Sequence, residues 1–292
     1  MQLSRQMTAA VFLWTNTESR TSRNMHDHLA ALRHPVTALG RMCLRLVNEL
    51  GGLAIFTSLA LYHLVSFPFQ LRKILSQVYF IGFRSMSVIL LVSVFTGMVL
   101  GLQGYYTLVK FGSEGLLGPA VALSLIRELG PVLTAIMIIA RAGSSMAAEI
   151  GIMRISEQID ALDTMNIDPV RFLVSPRVGA ALISFPLLTA LFDVVGILGG
   201  YLTSVQLLHL SGGTYFTSIE SSVVMQDITG GFYKSVAFGL IVTVICCFQG
   251  YFTHLRSRGF GAKGVSLSTT SAVVLSCVAV LVVDYVITSF LL

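Results

Sequence analysis

Several apolar runs long enough to cross a lipid bilayer dominate this sequence. Hydrophobic residues make up 54% of the 292-residue chain, and charged residues only 11%. A bilayer core about 30 Å thick requires roughly 20 apolar residues in a helix. Within hydrocarbon the backbone must satisfy its own hydrogen bonds, and a helix does so. The sequence therefore predicts an all-α, polytopic membrane protein, with no room for a separate soluble catalytic module.

Five apolar stretches are long enough to be complete spans, and a sixth is too short. The predicted spans are Ser85–Leu108, Leu116–Ala140, Val178–Leu207, Ser235–Phe252 and Thr269–Leu292. The earlier stretch Leu53–Phe67 is apolar over only about 15 residues and has basic residues on both sides. We expect an N-terminal interfacial or re-entrant elbow there, and a sixth span is the alternative.

The distribution of Lys and Arg predicts the orientation of the chain. Of 19 such residues, nine precede the first predicted span, four lie between the second and third, and three lie between the fourth and fifth. Because cytoplasmic loops are enriched in Lys and Arg, we place the N-terminus inside and the C-terminus outside. Residues 1–35, which are polar and poor in acids, are then expected to form a cytoplasmic tail ahead of a membrane domain at 36–292. A transit peptide is the less favoured alternative for this tail.

A charged segment, Glu149–Pro169, separates the second and third predicted spans. It contains five of the 14 acidic residues of the chain. A membrane protein places such a segment in water, where we expect a short amphipathic helix against the membrane face. A helix in that position can transmit force from a soluble partner, which favours a driven membrane component.

Four ionisable residues, Arg127, Glu128, Asp193 and Asp284, fall inside predicted spans. Each costs at least about 2.5 kcal/mol at bilayer depth unless it has a partner or faces a wet cavity. Arg127 and Glu128 are adjacent, hence about 100° apart on a helix, and are not expected to pair with each other. Arg127 could bind a phosphate, or both residues could form structural ion pairs. For Asp193 and Asp284 we favour structural hydrogen bonds.

Glycine pairs at helical spacing occur in two predicted spans. Gly97 and Gly101 lie in the first, and Gly196 and Gly200 lie in the third. Such pairs allow two helices to approach closely. The sequence leaves open whether they pack within the chain or between subunits.

The motifs of the common enzyme classes are missing from the sequence. There is no GxxxxGK[ST] to cradle ATP phosphates, no HExxH and no GxSxG, and the four cysteines lack metal-binding spacing. We therefore expect no enzymatic activity, no cofactor, no metal and no nucleic-acid partner.

Much of the chain resembles the MlaE/YrbE family, the permease subunits of MCE-associated ABC transporters that move lipids between membranes. The resemblance runs from about Arg33 to the C-terminus and is carried by four stretches: FTGMVLGLQGY (Phe95–Tyr105), ALSLIRELGPVLTAIMIIARAGSSMAAEIGIMR (Ala122–Arg154), EQIDALDTMNIDPVRFLVSPR (Glu157–Arg177) and ISFPLLT (Ile183–Thr189).

The resemblance implies a function, a location and partners. The function is to move phospholipids or related lipids between the inner and outer membranes. The implied location is the bacterial inner membrane, and the implied partners are a cytoplasmic ABC ATPase that hydrolyses ATP, a periplasmic MCE-domain protein, in some cases a STAS-domain subunit, and a second copy of the chain.

The resemblance also implies two sites. The lipid pocket would be lined by Leu100, Leu108, Arg127 and Glu128. The coupling helix would lie around Ser156–Met165, and its contacts with the ATPase would be made by Glu157, Gln158, Asp160, Ala161 and Leu162.

One alternative function is an ion-coupled secondary transporter or channel that uses the intramembrane charges directly. It predicts transport without an ATPase, and it leaves the segment Glu149–Pro169 without a role. The sequence also has no convincing internal repeat, a feature of many such transporters.

Overall fold

The computed structural model describes residues 35–65, 70–253 and 261–291, which form eight continuous helical segments without a β-strand. This confirms the all-α prediction. The predicted tail lies outside the described residues except for Pro35. The segments are α1 (Pro35–Val65), α2 (Leu71–Phe111), α3 (Glu114–Ile155), α4 (Gln158–Thr164), α5 (Val170–Leu207), α6 (Gly212–Ser222), α7 (Met225–Tyr251) and α8 (Ala262–Leu291).

In the described part of the chain, five helices are long and apolar enough to cross a membrane, namely α2, α3, α5, α7 and α8. The prediction of five spans is therefore confirmed, although the predicted spans were shorter than the helices. The helix α3 continues 15 residues beyond Ala140, so Glu149 to Ile155 extend the same helix and do not begin a separate one. Hydropathy marks only where apolar residues stop, whereas a helix continues through polar residues that are good helix formers.

Three of the spanning helices contain wide, π-helical turns. They lie at Tyr79–Phe83 in α2, at Leu125–Leu129 and Ile139–Gly143 in α3, and at Val170–Val174 and Leu202–Leu207 in α5. A π turn adds a residue to the helix and so changes the direction of the side chains around it. Both turns of α3 carry charged residues. In the second turn, Arg141 Nη1 donates to Phe80 O and Ser85 Oγ of α2, each at 2.8 Å.

The two glycine pairs pack against each other within the chain. A Cβ atom on Gly97 of α2 would lie 1.8 Å from the backbone oxygen of Gly196 in α5. One on Gly101 would lie 3.2 Å from Gly200 O. The hydroxyl of Ser93 donates to the carbonyl of Phe192 across the same contact. Of the two alternatives left open by the sequence, packing within the chain is the one found.

The helix α1 is longer than the predicted elbow, which covered only its C-terminal half and ran on into residues outside the described ranges. Its Phe56 is buried in a small apolar cluster, 5.6 Å from the ring centroid of Phe248 in α7. The same cluster includes Ile159 of α4 and Val174 of α5. This cluster holds α1 and the short helix α4 at one end of the spanning helices.

The contact between α2 and α5 predicts that Gly97→Ala destabilises the protein. The new methyl group cannot fit 1.8 Å from a backbone oxygen, and overpacking of this kind costs about 1–3 kcal/mol. The measurement is the thermal unfolding of the purified protein in detergent.

Gly51→Ala is the matched control, because a Cβ atom there meets nothing within 4 Å in the middle of α1. Alanine is favoured over glycine in a helix, so this variant should melt at or above the temperature of the wild type. Equal melting temperatures for Gly97→Ala and Gly51→Ala would contradict the close approach of α2 and α5.

Candidate functional site

Arg127 and Glu128 lie in the first π turn of α3, immediately before Gly130 and Pro131. Proline has no N–H, so Pro131 cannot donate to the carbonyl of Arg127 four residues earlier. The ammonium of Lys234 in α7 donates to that carbonyl instead, at 2.8 Å. Pro131 therefore leaves the carbonyl of Arg127 without a helical hydrogen bond, so this oxygen can accept one from Lys234.

Lys234 is the centre of an ion network that joins three spanning helices. Its side chain is only 2% exposed. Besides Arg127 O, its Nζ binds Glu128 Oε2 of α3 at 2.8 Å and Asp284 Oδ1 of α8 at 3.0 Å. A buried charge requires both a counter-charge and hydrogen bonds, and Lys234 has two hydrogen bonds and two carboxylates as counter-charges.

Arg127 pairs with a different carboxylate. Its Nε donates to Asp227 Oδ1 at 2.8 Å, while the other oxygen of Asp227 accepts the N–H of Val224 at 3.2 Å. Asp227 thereby caps the N-terminus of α7, where the helix dipole favours a negative charge. Arg127 and Glu128 do not pair with each other, as predicted. Each forms a separate ion pair with α7.

These charged groups line a half-open cavity of about 230 Å³. It lies between α3 and the ends of α7 and α8, on the side of the membrane predicted to be outside. Its lining consists of Arg127, Glu128, Val224, Gln226, Asp227, Gly230, Gly231, Lys234, Thr288 and Leu291. The combination of several charged groups, the apolar residues Val224 and Leu291 and a membrane setting is suited to an amphipathic ligand.

The lining includes some of the predicted pocket residues and omits others. Arg127 and Glu128 meet in the cavity. Leu100 and Leu108 of α2 are instead half-buried against the central apolar core and do not line it. Sequence reasoning identified Asp284 as an intramembrane acid and favoured a structural hydrogen bond for it, whereas its Oδ1 forms an ion pair with Lys234. The same reasoning missed Lys234 and Asp227 as site residues, because the fourth span was predicted to begin at Ser235 and in fact begins at Met225.

The other intramembrane acid, Asp193 of α5, lies away from this cavity. Its Oδ1 lies against the backbone of Gly130 in α3 and has no hydrogen-bond partner among the described residues. The hydrogen bond expected for this oxygen is therefore not found. Among all the residues that the structure describes, no group of His, Cys, Asp and Glu is placed to hold a metal ion.

The predicted coupling segment contains a short helix, α4, bounded by residues with positive φ. Glu157 precedes α4 at φ 59° and Asn166 follows it at φ 65°. Gln158, Asp160 and Ala161 are exposed.

Apolar contacts and one ion pair hold α4 in place. Ile159 is buried and Leu162 is half-buried in the same apolar cluster as Phe56. Asp160 pairs with Arg154 of α3 at 2.7 Å. The helix therefore presents a polar face to solvent while its apolar side is fixed to the membrane domain.

A second contact fixes the end of this segment. Asp168 Oδ1 accepts the N–H of Val170 at 2.9 Å, and Asp168 Oδ2 lies 3.1 Å from His63 Nε2 of α1. Burial alone would raise the pKa of Asp168, but His63 and the backbone N–H groups of Arg171 and Val170 outweigh burial, so the pKa lies below its usual value. Asp168 thereby links α1 to the start of α5.

Sequence comparison agrees with this architecture. The profile of the family described as Permease MlaE matches residues 74–290, which include all five spanning helices except the first few residues of α2 and the last of α8. The chain belongs to the MlaE permease family. The cavity and α4 both lie within the matched region.

Three relatives illustrate the range of this MlaE family. A probable ABC transporter permease protein of Rickettsia bellii is 41% identical over 251 residues, which are 86% of this chain and 95% of that protein. The intermembrane phospholipid transport system permease protein MlaE of Haemophilus influenzae is 40% identical over 263 residues, 88% and 97% of the two chains. The chloroplastic protein trigalactosyldiacylglycerol 1 of Arabidopsis thaliana is 38% identical over 219 residues, 75% of this chain and 61% of its own.

Proposed function

We propose that this MlaE-family chain is the permease subunit of an ABC transporter that moves phospholipids, or related lipids, between the inner and outer membranes. The observation that carries the proposal is the charged cavity inside a five-span membrane domain. The Haemophilus influenzae relative, which is 40% identical, is named as an intermembrane phospholipid transport permease, and this supports the same substrate class.

The chemistry of the cavity suits a phospholipid, which has a charged headgroup and two apolar tails. Arg127 keeps its two terminal amino groups free of partners among the described residues, and a guanidinium can bind a phosphate by two parallel hydrogen bonds. Val224 and Leu291 provide apolar contacts within the lining. Leu100 and Leu108 extend the apolar wall along α2 in this proposal.

In this proposal ATP hydrolysis is carried out by a separate cytoplasmic subunit. The sequence contains no phosphate-binding loop of the GxxxxGK[ST] type, and the relatives are named as ABC transporter permeases. The exposed face of α4 is the contact for that ATPase, made by Glu157, Gln158, Asp160 and Ala161. Leu162 contributes by anchoring α4 to the apolar cluster beneath it.

The proposal includes further partners and a location. The chain acts as a homodimer in the inner membrane, with its N-terminus in the cytoplasm. A periplasmic MCE-domain protein receives or delivers the lipid, and a STAS-domain subunit accompanies the ATPase in some systems.

An ion-coupled transporter is the second candidate, and the cluster of Lys234, Glu128 and Asp284 favours it, because ionisable clusters can form ion pathways in membranes. The two candidates differ in their energy source. Lipid transport that requires ATP and the partner subunit supports the first, whereas transport by the purified chain alone under an ion gradient supports the second.

Reversal of the charges on α4 tests the coupling role. The double variant Glu157→Arg, Asp160→Arg should abolish co-purification of the ATPase subunit while the chain still inserts and folds. Asp160 is 54% exposed, so the new positive charge at this position can turn into solvent, and Arg154 keeps its contact with the Tyr251 ring, which limits the cost to about 1 kcal/mol.

The control for coupling is Glu220→Arg on the exposed face of α6, which should recruit the ATPase as the wild type does. Pull-down of the co-expressed ATPase measures recruitment. Normal recruitment by the double variant would show that α4 is not the contact.

Removal of the guanidinium tests the lipid site. Arg127→Ala should carry about tenfold less co-purified phospholipid, because a hydrogen bond to a charged group contributes about 1.5–3 kcal/mol. Leu100→Asp should also lower bound lipid if α2 forms the apolar wall. Mass spectrometry of lipids extracted from purified protein gives the amounts.

Arg72→Ala is the matched control, since Arg72 is exposed near the start of α2 and does not line the cavity. This variant should retain the wild-type amount of lipid. If Arg127→Ala kept its lipid but melted at a lower temperature, Arg127 would be a structural partner of Asp227 and not a ligand for phosphate.

A further inference from the structure

We propose that the cavity selects lipids whose headgroup carries both a phosphate and a primary ammonium, the chemistry of phosphoethanolamine. The inference rests on the proposed function, because it requires that the cavity receives a lipid headgroup. It follows from which hydrogen-bonding groups of the cavity are already satisfied and which remain available.

Lys234 is not available to a ligand. Its Nζ donates to Arg127 O and Glu128 Oε2, each at 2.8 Å, and forms an ion pair with Asp284 Oδ1 at 3.0 Å, and its side chain is almost completely buried. A phosphate could reach this ammonium only by displacing a carboxylate. The ammonium of Lys234 therefore binds groups of the protein and does not bind the ligand.

Arg127 is available, and it is held in place. Asp227 engages only its Nε, and the carboxylate of Asp227 is itself fixed by the N–H of Val224 and is 10% exposed. The two terminal amino groups of Arg127 have no partner in the described part of the chain, and the side chain is 48% exposed. Asp227 is therefore a positioning residue that directs the free edge of the guanidinium to a phosphate.

One carboxylate oxygen of Glu128, Oε1, is available to a ligand. Its Oε2 is bound by Lys234, whereas Oε1 has only the hydroxyl of Thr288, at 3.2 Å. That hydroxyl lies closer to the carbonyl of Asp284, at 2.8 Å, and a hydroxyl has one proton to donate. Oε1 thus keeps acceptor capacity for a ligand N–H donor, and the side chain of Glu128 is 42% exposed.

The charge balance of the ion network beside the cavity supports the same preference. Glu128 of the cavity and Asp284 behind it share the single ammonium of Lys234, and Asp227 neutralises Arg127, so the three carboxylates of this network outnumber its two cations by one. A ligand that brings only an anionic phosphate leaves this excess uncompensated. A ligand that also brings an ammonium next to Glu128 compensates it.

The lining also distinguishes between kinds of ammonium. A quaternary ammonium has no N–H donor and is bound by aromatic rings in proteins. None of the described residues that line the cavity is aromatic. A primary ammonium, with three N–H donors, is the form that a carboxylate oxygen can bind.

The test offers the detergent-purified, delipidated full chain an equimolar mixture of phosphatidylethanolamine, phosphatidylcholine and phosphatidylglycerol with identical acyl chains. Native mass spectrometry then counts each bound species. We expect phosphatidylethanolamine to exceed each of the others about tenfold, the scale of one charge-assisted hydrogen bond. Equal occupancy of the three lipids by the wild type would overturn the inference while leaving the proposed function intact.

Glu128→Gln tests the residue responsible. Glutamine keeps an oxygen acceptor for Lys234 but cannot neutralise an ammonium, so the preference for phosphatidylethanolamine should disappear while Arg127 retains total lipid. The matched control is Glu114→Gln, the same chemical change at the start of α3 and outside the cavity, which should keep the preference. An unchanged preference in Glu128→Gln would refute the assignment of Glu128.

Two further outcomes are distinguishable. If the wild type retained no lipid of any class, the proposed function would fail, not the headgroup preference alone. If soluble glycerophosphoethanolamine displaced bound lipid as effectively as phosphatidylethanolamine itself, the ligand would be a water-soluble headgroup compound, and the inference of a lipid would be wrong.

Discussion

The ammonium of Lys234 must be neutralised and hydrogen-bonded inside a membrane, and its partners determine how three helices are arranged. Two carboxylates from α3 and α8 and one carbonyl released by Pro131 surround it at 2.8–3.0 Å. Removal of Lys234 would leave the carboxylates of Glu128 and Asp284 without their counter-charge in a medium of low dielectric constant, where breaking a buried pair costs about 3–5 kcal/mol. α3, α7 and α8 are therefore held in one relative position around the cavity. Because Lys234 is buried and bound by protein groups, the proposal assigns ligand recognition to Arg127 and Glu128.

The helix α3 connects the two proposed working parts of the molecule. Arg127 and Glu128 lie in its first half, and Ile155 at its end leads directly into the coupling helix α4. The 28 residues from Glu128 to Ile155 correspond to roughly 40 Å of helix. Arg154 ties α4 back to α3, and Asp168 ties the exit of the segment to α1 and α5. A displacement of α4 by a bound ATPase would thus be applied to the same helix that carries the cavity charges.

The sequence predicted the number of spans because apolar length is a property of each segment by itself. It also identified Arg127, Glu128 and Asp284, since a charge within an apolar run is visible without knowledge of the fold. Lys234 and Asp227 were missed as site residues for a physical reason. They lie in the first turns of a helix whose start is polar, and hydropathy cannot show that a polar start continues into the membrane.

Other features depended on tertiary contacts and could not be predicted from the sequence. The glycine pairs indicated a close approach, but only the fold shows that Gly97 meets Gly196 of the same chain. The π turns that orient Arg127 and Arg141 have no sequence signature of their own. Leu100 and Leu108 came from the family resemblance, and their place in a lipid pocket stays a prediction, because they pack against the core beside α2.

The central claim is that Arg127 holds a lipid phosphate in a cavity whose Lys234 stays bound to protein carboxylates. The most direct measurement is a cryo-electron microscopy map of the full chain with its co-expressed partners, purified without added lipid. The account predicts headgroup density with the phosphate about 3 Å from the terminal amino groups of Arg127, and with Lys234 still between Glu128 and Asp284. An empty cavity in a map that shows lipid elsewhere, or a Lys234 turned from its carboxylates onto the phosphate, would contradict it.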